Sequence, residues 1–143
     1  MPIEYSGISA VELKCKNYDE TVKFYAKKMN FDVIQKGADF TTLQIGQQKI
    51  ILLDAPYSSQ NKTALRSYHH ICLESDNIFD AARDLLGRDV VVYAGLPDSG
   101  RLCPEPPAQQ PLGQCNSYCF FVRDPEGNDI EIQQFTENSL QLS

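Results

Sequence analysis

Hydrophobic and polar positions alternate over residues 8–15, with Val11, Leu13 and Cys15 on one side and Ala10, Glu12 and Lys14 on the other. That period of two is the pattern of a half-buried strand. At Asn17-Tyr-Asp-Glu20 the period changes. Asn17 followed by Glu20 approximates a capping box, and Val22, Tyr25, Ala26 and Met29 recur at helical spacing. Asn30 is suited to the left-handed conformation that ends such a helix. Three short runs follow, Phe31–Gln35, Phe40–Ile45 and Lys49–Asp54, separated by Lys-Gly-Ala-Asp and Gly-Gln-Gln, and they read as strands joined by turns. The first half is therefore β-α-β-β-β.

Residues 56–66, with a proline, two serines and mostly polar neighbours, have the composition of a linker. The order of elements then starts again. Tyr68–Ser75 alternates with Ile71 and Leu73 on one face and His70, Cys72 and Glu74 on the other. Asn77-Ile-Phe-Asp80 repeats the helix start, Ile78, Ala81, Ala82 and Leu85 supply an apolar stripe, and Gly87 is expected to close the helix. Val90–Tyr93, Ser117–Val122 and Asn128–Gln134 are expected as three more strands. The first strands of the halves are offset by 60 positions and the last by about 80, which leaves an insertion at 95–116 rich in Pro and Gly. A loop of that length reads as a lid or rim over a pocket, or as a surface excursion or dimer contact. The chain thus divides into a first module over 7–55, a linker, a second module over 67–135 and a tail at 136–143.

Composition narrows the class. A chain of 143 residues, 42% hydrophobic and 22% charged, holds one domain with a real core. It has no long apolar run, and its start, Met-Pro-Ile-Glu-Tyr, lacks the regions of a signal peptide, so a cytoplasmic protein without a membrane partner is expected. Thirteen basic against nineteen acidic residues give a net charge of −6 with no basic cluster, which argues against nucleic acid. Five cysteines, at 15, 72, 103, 115 and 119, are odd in number and match no Cys-x-x-Cys pattern, so reduced, mostly buried thiols are expected.

Candidate chemistry gathers at Arg123-Asp-Pro-Glu-Gly-Asn-Asp-Ile-Glu-Ile-Gln133. A strand turns on Asp-Pro-Glu-Gly-Asn and runs out with Ile130 and Ile132 on one face and Asp129, Glu131 and Gln133 on the other. An acid between two buried isoleucines is aimed rigidly away from the core, as a metal ligand or general base requires, although an amphipathic strand has the same pattern. His69 faces the opposite side from His70, where a structural partner at the helix–sheet boundary is expected. Cys72 lies two residues on from His70 on the same face. The parity of Tyr118, Phe120 and Phe121 is left open by the sequence.

Tyr18-Asp-Glu-Thr-Val-Lys-Phe24-Tyr25 through Met29-Asn30-Phe31 resembles the helix signature of the vicinal oxygen chelate superfamily, which includes glyoxalase I, extradiol dioxygenases and bleomycin-resistance proteins. His70-Ile-x-Leu-x-x-Asp76-Asn77-Ile78, with Asp124-Pro-x-Gly-Asn-x-Ile-Glu131, resembles its second-half signature. The resemblance spans residues 7–135 and implies an α+β fold: two tandem β-α-β-β-β modules, first and last strands side by side, forming a curved, cup-like mixed sheet. It further implies a divalent metal held by one residue from each of four strands. Carried over by position, these are His70 and Glu131 in the second half, but Ala10 and Ile51 in the first, which offer no ligand atom. The expectation is a protein that binds a small organic molecule with an incomplete ligand set and no tightly bound cofactor. His70 and Glu131 are its catalytic or metal-ligating candidates, and Ala10, Glu12, Ile51, Cys72 and Gln133 line the ligand. The alternative is a metal-dependent lyase, isomerase or dioxygenase using zinc, nickel, iron or manganese, with further ligands from Glu12 or another subunit. A third reading is an interaction domain that has lost the site. The resemblance also implies a homodimer.

Overall fold

The computed structural model describes residues 3–55, 70–102 and 118–135. The chain divides into two compact units, Met1–Lys62 and Thr63–Ser143. The linker at 56–66, His69, the greater part of the insertion and the tail lie outside the described residues.

In the first unit, β1 (Ala10–Cys15) is followed by α1 (Tyr18–Lys23), which runs directly into a wider π-type segment, Phe24–Lys28, and then by β2 (Asp32–Lys36), β3 (Phe40–Ile45) and β4 (Gln48–Asp54). The strand order is β1-β4-β3-β2, with β1 parallel to β4 and the other pairs antiparallel. Strand alternation assigns Thr41, Leu43, Ile50 and Leu52 to one buried face, and the Tyr18 hydroxyl at the helix start hydrogen-bonds to Thr41 Oγ1 on that face.

The helix departs from the expected stripe. The Met29 amide donates to the Phe24 carbonyl five residues back at 2.9 Å, a turn with one residue more than an α-helical turn. This widening buries the consecutive residues Phe24 and Tyr25 together, their rings edge to face at 5.2 Å, while Val22, Ala26 and Met29 are only half-buried. Asn17 sits at the N-cap, but its side chain makes no capping bond. Asn30 ends the segment at φ 62°, in the left-handed region. At the sheet edge, β2 carries a bulge at Ile34, which interrupts the pairing with β3 and makes the edge a poor template for another strand.

The second unit contains β5 (Ile71–Glu74), α2 (Ile78–Gly87), a 3₁₀ turn at Pro97–Ser99, β6 (Tyr118–Arg123) and β7 (Asp129–Gln134). The order is β5-β7-β6, again with the first strand parallel to the last. Asn77 caps α2 by accepting from the Asp80 amide at 3.1 Å, and Gln134 Oε1 accepts from the Ile78 amide at 2.8 Å, which ties the helix start to β7. Gly87 is the last helical residue, and Asp89 rather than the glycine takes positive φ, at 60°.

The strand expected at Val90–Tyr93 is reduced to one residue. Tyr93 exchanges two backbone bonds with Phe121, of 2.8 and 3.0 Å, while the Val90 amide is drawn back to the Leu85 carbonyl as part of the helix end. Tyr93 also bridges to Leu102, and the Ala94 amide bonds to the Arg101 carbonyl, so the described start of the insertion folds back on itself. Arg123 fastens that loop through Asp98 at 2.8 Å.

The β6–β7 turn is organised by the buried carboxylate of Asp124. It accepts from the amides of Glu126 (2.9 Å) and Asn128 (2.8 Å) and from Asn128 Nδ2 (2.9 Å). Gly127 supplies the positive φ, at 85°, that the turn requires. Asp124→Ala leaves these buried donors without their acceptor and is expected to cost about 2–4 kcal/mol, given that bonds to charged groups each contribute about 1.5–3 kcal/mol. Chemical denaturation measures it, and a loss under about 1 kcal/mol would show the turn to be held by backbone alone.

Candidate functional site

Glu131 leaves β7 between Ile130 and Ile132, which are fully or almost fully buried on the opposite face, so its carboxylate points away from α2. Its direct neighbours are set by register: Cys72 on β5 and Phe121 on β6. Cys72 Sγ donates to Glu131 Oε2 at 3.2 Å, within the range of a thiol hydrogen bond. His70, one residue before β5, approaches the same oxygen diagonally, with Nε2 at 3.6 Å. That separation suits an ion pair when the imidazole is protonated but is too long for a direct hydrogen bond. The direct hydrogen bond to Glu131 comes instead from Cys72, which holds the paired position. An imidazole nitrogen, Sγ and a carboxylate oxygen of the three residues all lie within 4.8 Å of one another.

The surroundings orient these groups. Phe121 lies edge-on to the His70 ring, with centroids 5.2 Å apart, and Phe120, of opposite parity, is buried on the helix face with Ile132. Tyr118 shares that parity and lies near Phe79 of α2. Cys119 flanks Glu131 from β6. Burial first, and then the influence of the nearby Glu131 carboxylate, push the Cys119 thiol up to about 11, so it stays protonated at neutral pH. Farther along the same face, Arg123 bonds Asp129 and Asp98, both at 2.8 Å. Both carboxylates hold its guanidinium protonated, the Asp129 hydrogen bond most strongly.

The remaining candidates divide between the units. Gln133 is buried on β7, paired with Glu74 on one side and Cys119 on the other. Ala10, Glu12 and Ile51 lie in the first unit, where Glu12 pairs with Ile51 as Cys72 pairs with Glu131 in the second. The sequence reading missed the contribution of Cys119 and the direct pairing of Cys72 with Glu131. Both cysteines share the parity of Glu131 across the sheet, but only register makes that visible.

The parallel pairing of first and last strands, the helix between them and the second, variant copy define a duplicated α+β module fold. Residues 7–132 match the family described as the glyoxalase/bleomycin resistance protein/dioxygenase superfamily, and the chain belongs to it. Solved structures share the fold. Lactoylglutathione lyase from Agrobacterium tumefaciens is 17% identical, with a TM-score of 0.62 over 91% of this chain and 94% of that one. TnmS3, an antibiotic-binding protein from Streptomyces sp. CB03234, is 16% identical, with a TM-score of 0.65 over 94% and 100%. The integron cassette protein VCH_CASS1 of the V. cholerae mobile metagenome is 22% identical, with a TM-score of 0.66 over 95% and 100%. Among curated proteins none matches the sequence.

The two cysteines beside Glu131 should differ in reactivity. A thiol at about 11 has about a hundredfold less thiolate near pH 8 than one at its ordinary value of 9.0, whereas Cys72 is exposed. Iodoacetamide in the presence of a chelator should therefore modify Cys72 well before Cys119 in the folded protein, as read by peptide mass spectrometry. Equal rates would contradict the burial of Cys119.

Proposed function

We propose that this protein binds a small organic molecule against the face of the second unit that carries His70, Cys72, Phe121 and Glu131. The observation that carries the reading is the unequal chemistry of two equivalent registers: Ile51 stands opposite Glu12 where Glu131 stands opposite Cys72. Half of the four-strand ligand set that the family resemblance implies is therefore aliphatic, which favours binding over a metal centre shared between units. A half-buried carboxylate beside an imidazole and an aromatic ring suits a planar molecule bearing cationic or hydrogen-bond-donating groups. The antibiotic-binding TnmS3 supports this class of ligand, and lactoylglutathione lyase supports the competing enzymatic class.

The two classes separate in one experiment. Calorimetric titration with an antibiotic panel headed by bleomycin should give saturable binding to at least one member. Glu131→Gln preserves shape and acceptor but removes charge, and it should weaken that binding about tenfold or more, a change of about 1.4 kcal/mol. The melting temperature should move by only a few degrees. Turnover of S-lactoylglutathione by the wild-type chain but not by Glu131→Gln would replace the binding reading with an enzymatic one. A panel with no binder at all would count against it as well.

We also assign the protein to a homodimer. Support comes from the first unit, where Ile3, Tyr5, Ile8, Val33 and Ile34 leave large apolar side chains exposed on an N-terminal segment and an edge strand. Light scattering at micromolar concentration should give about twice the chain mass of 16.1 kDa, and a mass near 16.1 kDa would refute it.

A further inference from the structure

His70, Cys72 and Glu131 offer three chemically different donor atoms, nitrogen, sulfur and oxygen, within 4.8 Å of one another. Cys72 and Glu131 are paired in the β5–β7 ladder, and His70 directly precedes β5. Zinc takes imidazole nitrogen and carboxylate oxygen at about 2.0–2.2 Å and thiolate sulfur at about 2.3 Å, so a tetrahedral ion holds its donors roughly 3.2–3.8 Å apart. Two of the separations here, 3.2 Å from Cys72 Sγ to Glu131 Oε2 and 3.6 Å from His70 Nε2 to the same oxygen, already fall in that range. The donor set therefore fits the ion after small side-chain rotations.

We propose that Cys72 completes a three-ligand site for zinc or another thiophilic divalent ion, built entirely within the second unit and independent of Ala10 and Ile51. The donor chemistry selects the ion. Thiolate and imidazole are poor ligands for magnesium or calcium, and the two-histidine, one-carboxylate face of non-haem iron is not what this trio offers. Three protein ligands are also the number at which zinc keeps a position open. Exposure of Cys72, with His70 and Glu131 each about one-fifth exposed, leaves the trio accessible. An outer contact holds the imidazole in place: Phe121 packs edge-on against His70. On binding, the Cys72 thiol releases its proton to solvent and the thiolate donates to the ion.

The metal would use three of the side chains assigned above to the small molecule, but it does not rest on that reading, and cobalt separates the two. Chelator-treated, reduced and desalted protein titrated with Co²⁺ should bind one equivalent and develop a near-ultraviolet thiolate-to-cobalt charge-transfer band. Cys72→Ser should abolish that band. The double substitution Cys103→Ser, Cys115→Ser should keep it, while His70→Ala and Glu131→Gln should each weaken cobalt binding about tenfold or more. A second measurement on the unsubstituted chain guards against a folding defect: stoichiometric zinc should slow alkylation of Cys72 by iodoacetamide without changing the folded far-ultraviolet spectrum. Absence of the band, its survival in Cys72→Ser, or an alkylation rate unchanged by zinc would overturn the site. Binding of the antibiotic panel is measured separately on the metal-free protein, so failure of the metal site and failure of the small-molecule reading are distinguishable.

Discussion

The second unit depends on a buried negative charge that takes no part in the candidate chemistry. Asp124 gathers two backbone amides and the Asn128 side chain, and in doing so closes the β6–β7 turn at a fixed length. From that turn the register runs without a break from Arg123 opposite Asp129 to Tyr118 opposite Gln134. A slip of one residue would turn Glu131 toward α2 and bring Ile130 or Ile132 to the polar face, because side-chain direction in a strand has a period of two. It would also remove Gln134 from the start of α2, where its side chain accepts from the Ile78 amide. The turn thus fixes both the aim of the carboxylate and the anchoring of the helix behind it.

Within each unit the same frame carries different chemistry. β1 runs parallel to β4 and β5 to β7, and the pairs Glu12–Ile51 and Cys72–Glu131 occupy corresponding rungs. The next strand repeats the correspondence, with Thr42 opposite Ile51 and Phe121 opposite Glu131. Where the first unit has an aliphatic side chain that needs nothing from its neighbours, the second has a carboxylate that loses solvation on burial and must recover it from nearby donors. Cys72 supplies such a donor from β5, and Cys119 lies on the same face of β6 as a protonated thiol. A substitution at one rung therefore changes what the neighbouring strands must carry.

This dependence explains what could be read from the sequence. Alternation over 8–15 and 128–134, the helix start at Asn77 and the turn at Asp124–Asn128 are local signals, and each of those elements forms. The buried pair Phe24–Tyr25 was not legible, because the wide turn that brings consecutive residues to one side breaks the spacing used to find a helix face. Val90–Tyr93 has the alternation of a strand, yet the backbone of Val90 serves the end of α2, and tertiary pairing leaves Tyr93 as its sole bridge to β6. His70 and Glu131 stood out because the family resemblance marks them. Cys72 was placed on the same face as His70, but its position directly opposite Glu131 was not legible, since register is a property of two segments nearly sixty residues apart.

The character of the donors around Glu131 connects the two functional proposals. A half-buried carboxylate is ordinarily stabilised by arginine or by several strong N–H donors. On this face Arg123 instead bonds Asp98 and Asp129, while Glu131 receives the thiol of Cys72 and has His70 at 3.6 Å. Thiols are weak donors, so the carboxylate keeps more of its capacity to bind than an arginine-paired group would. A cation or a strongly hydrogen-bonding ligand arriving from outside thus gains an interaction that the folded chain has not already satisfied. Which of the two arrives is decided at Cys72: as a thiol it is a weak donor to Glu131, and as a thiolate it becomes a ligand in its own right and turns the same three side chains toward a metal.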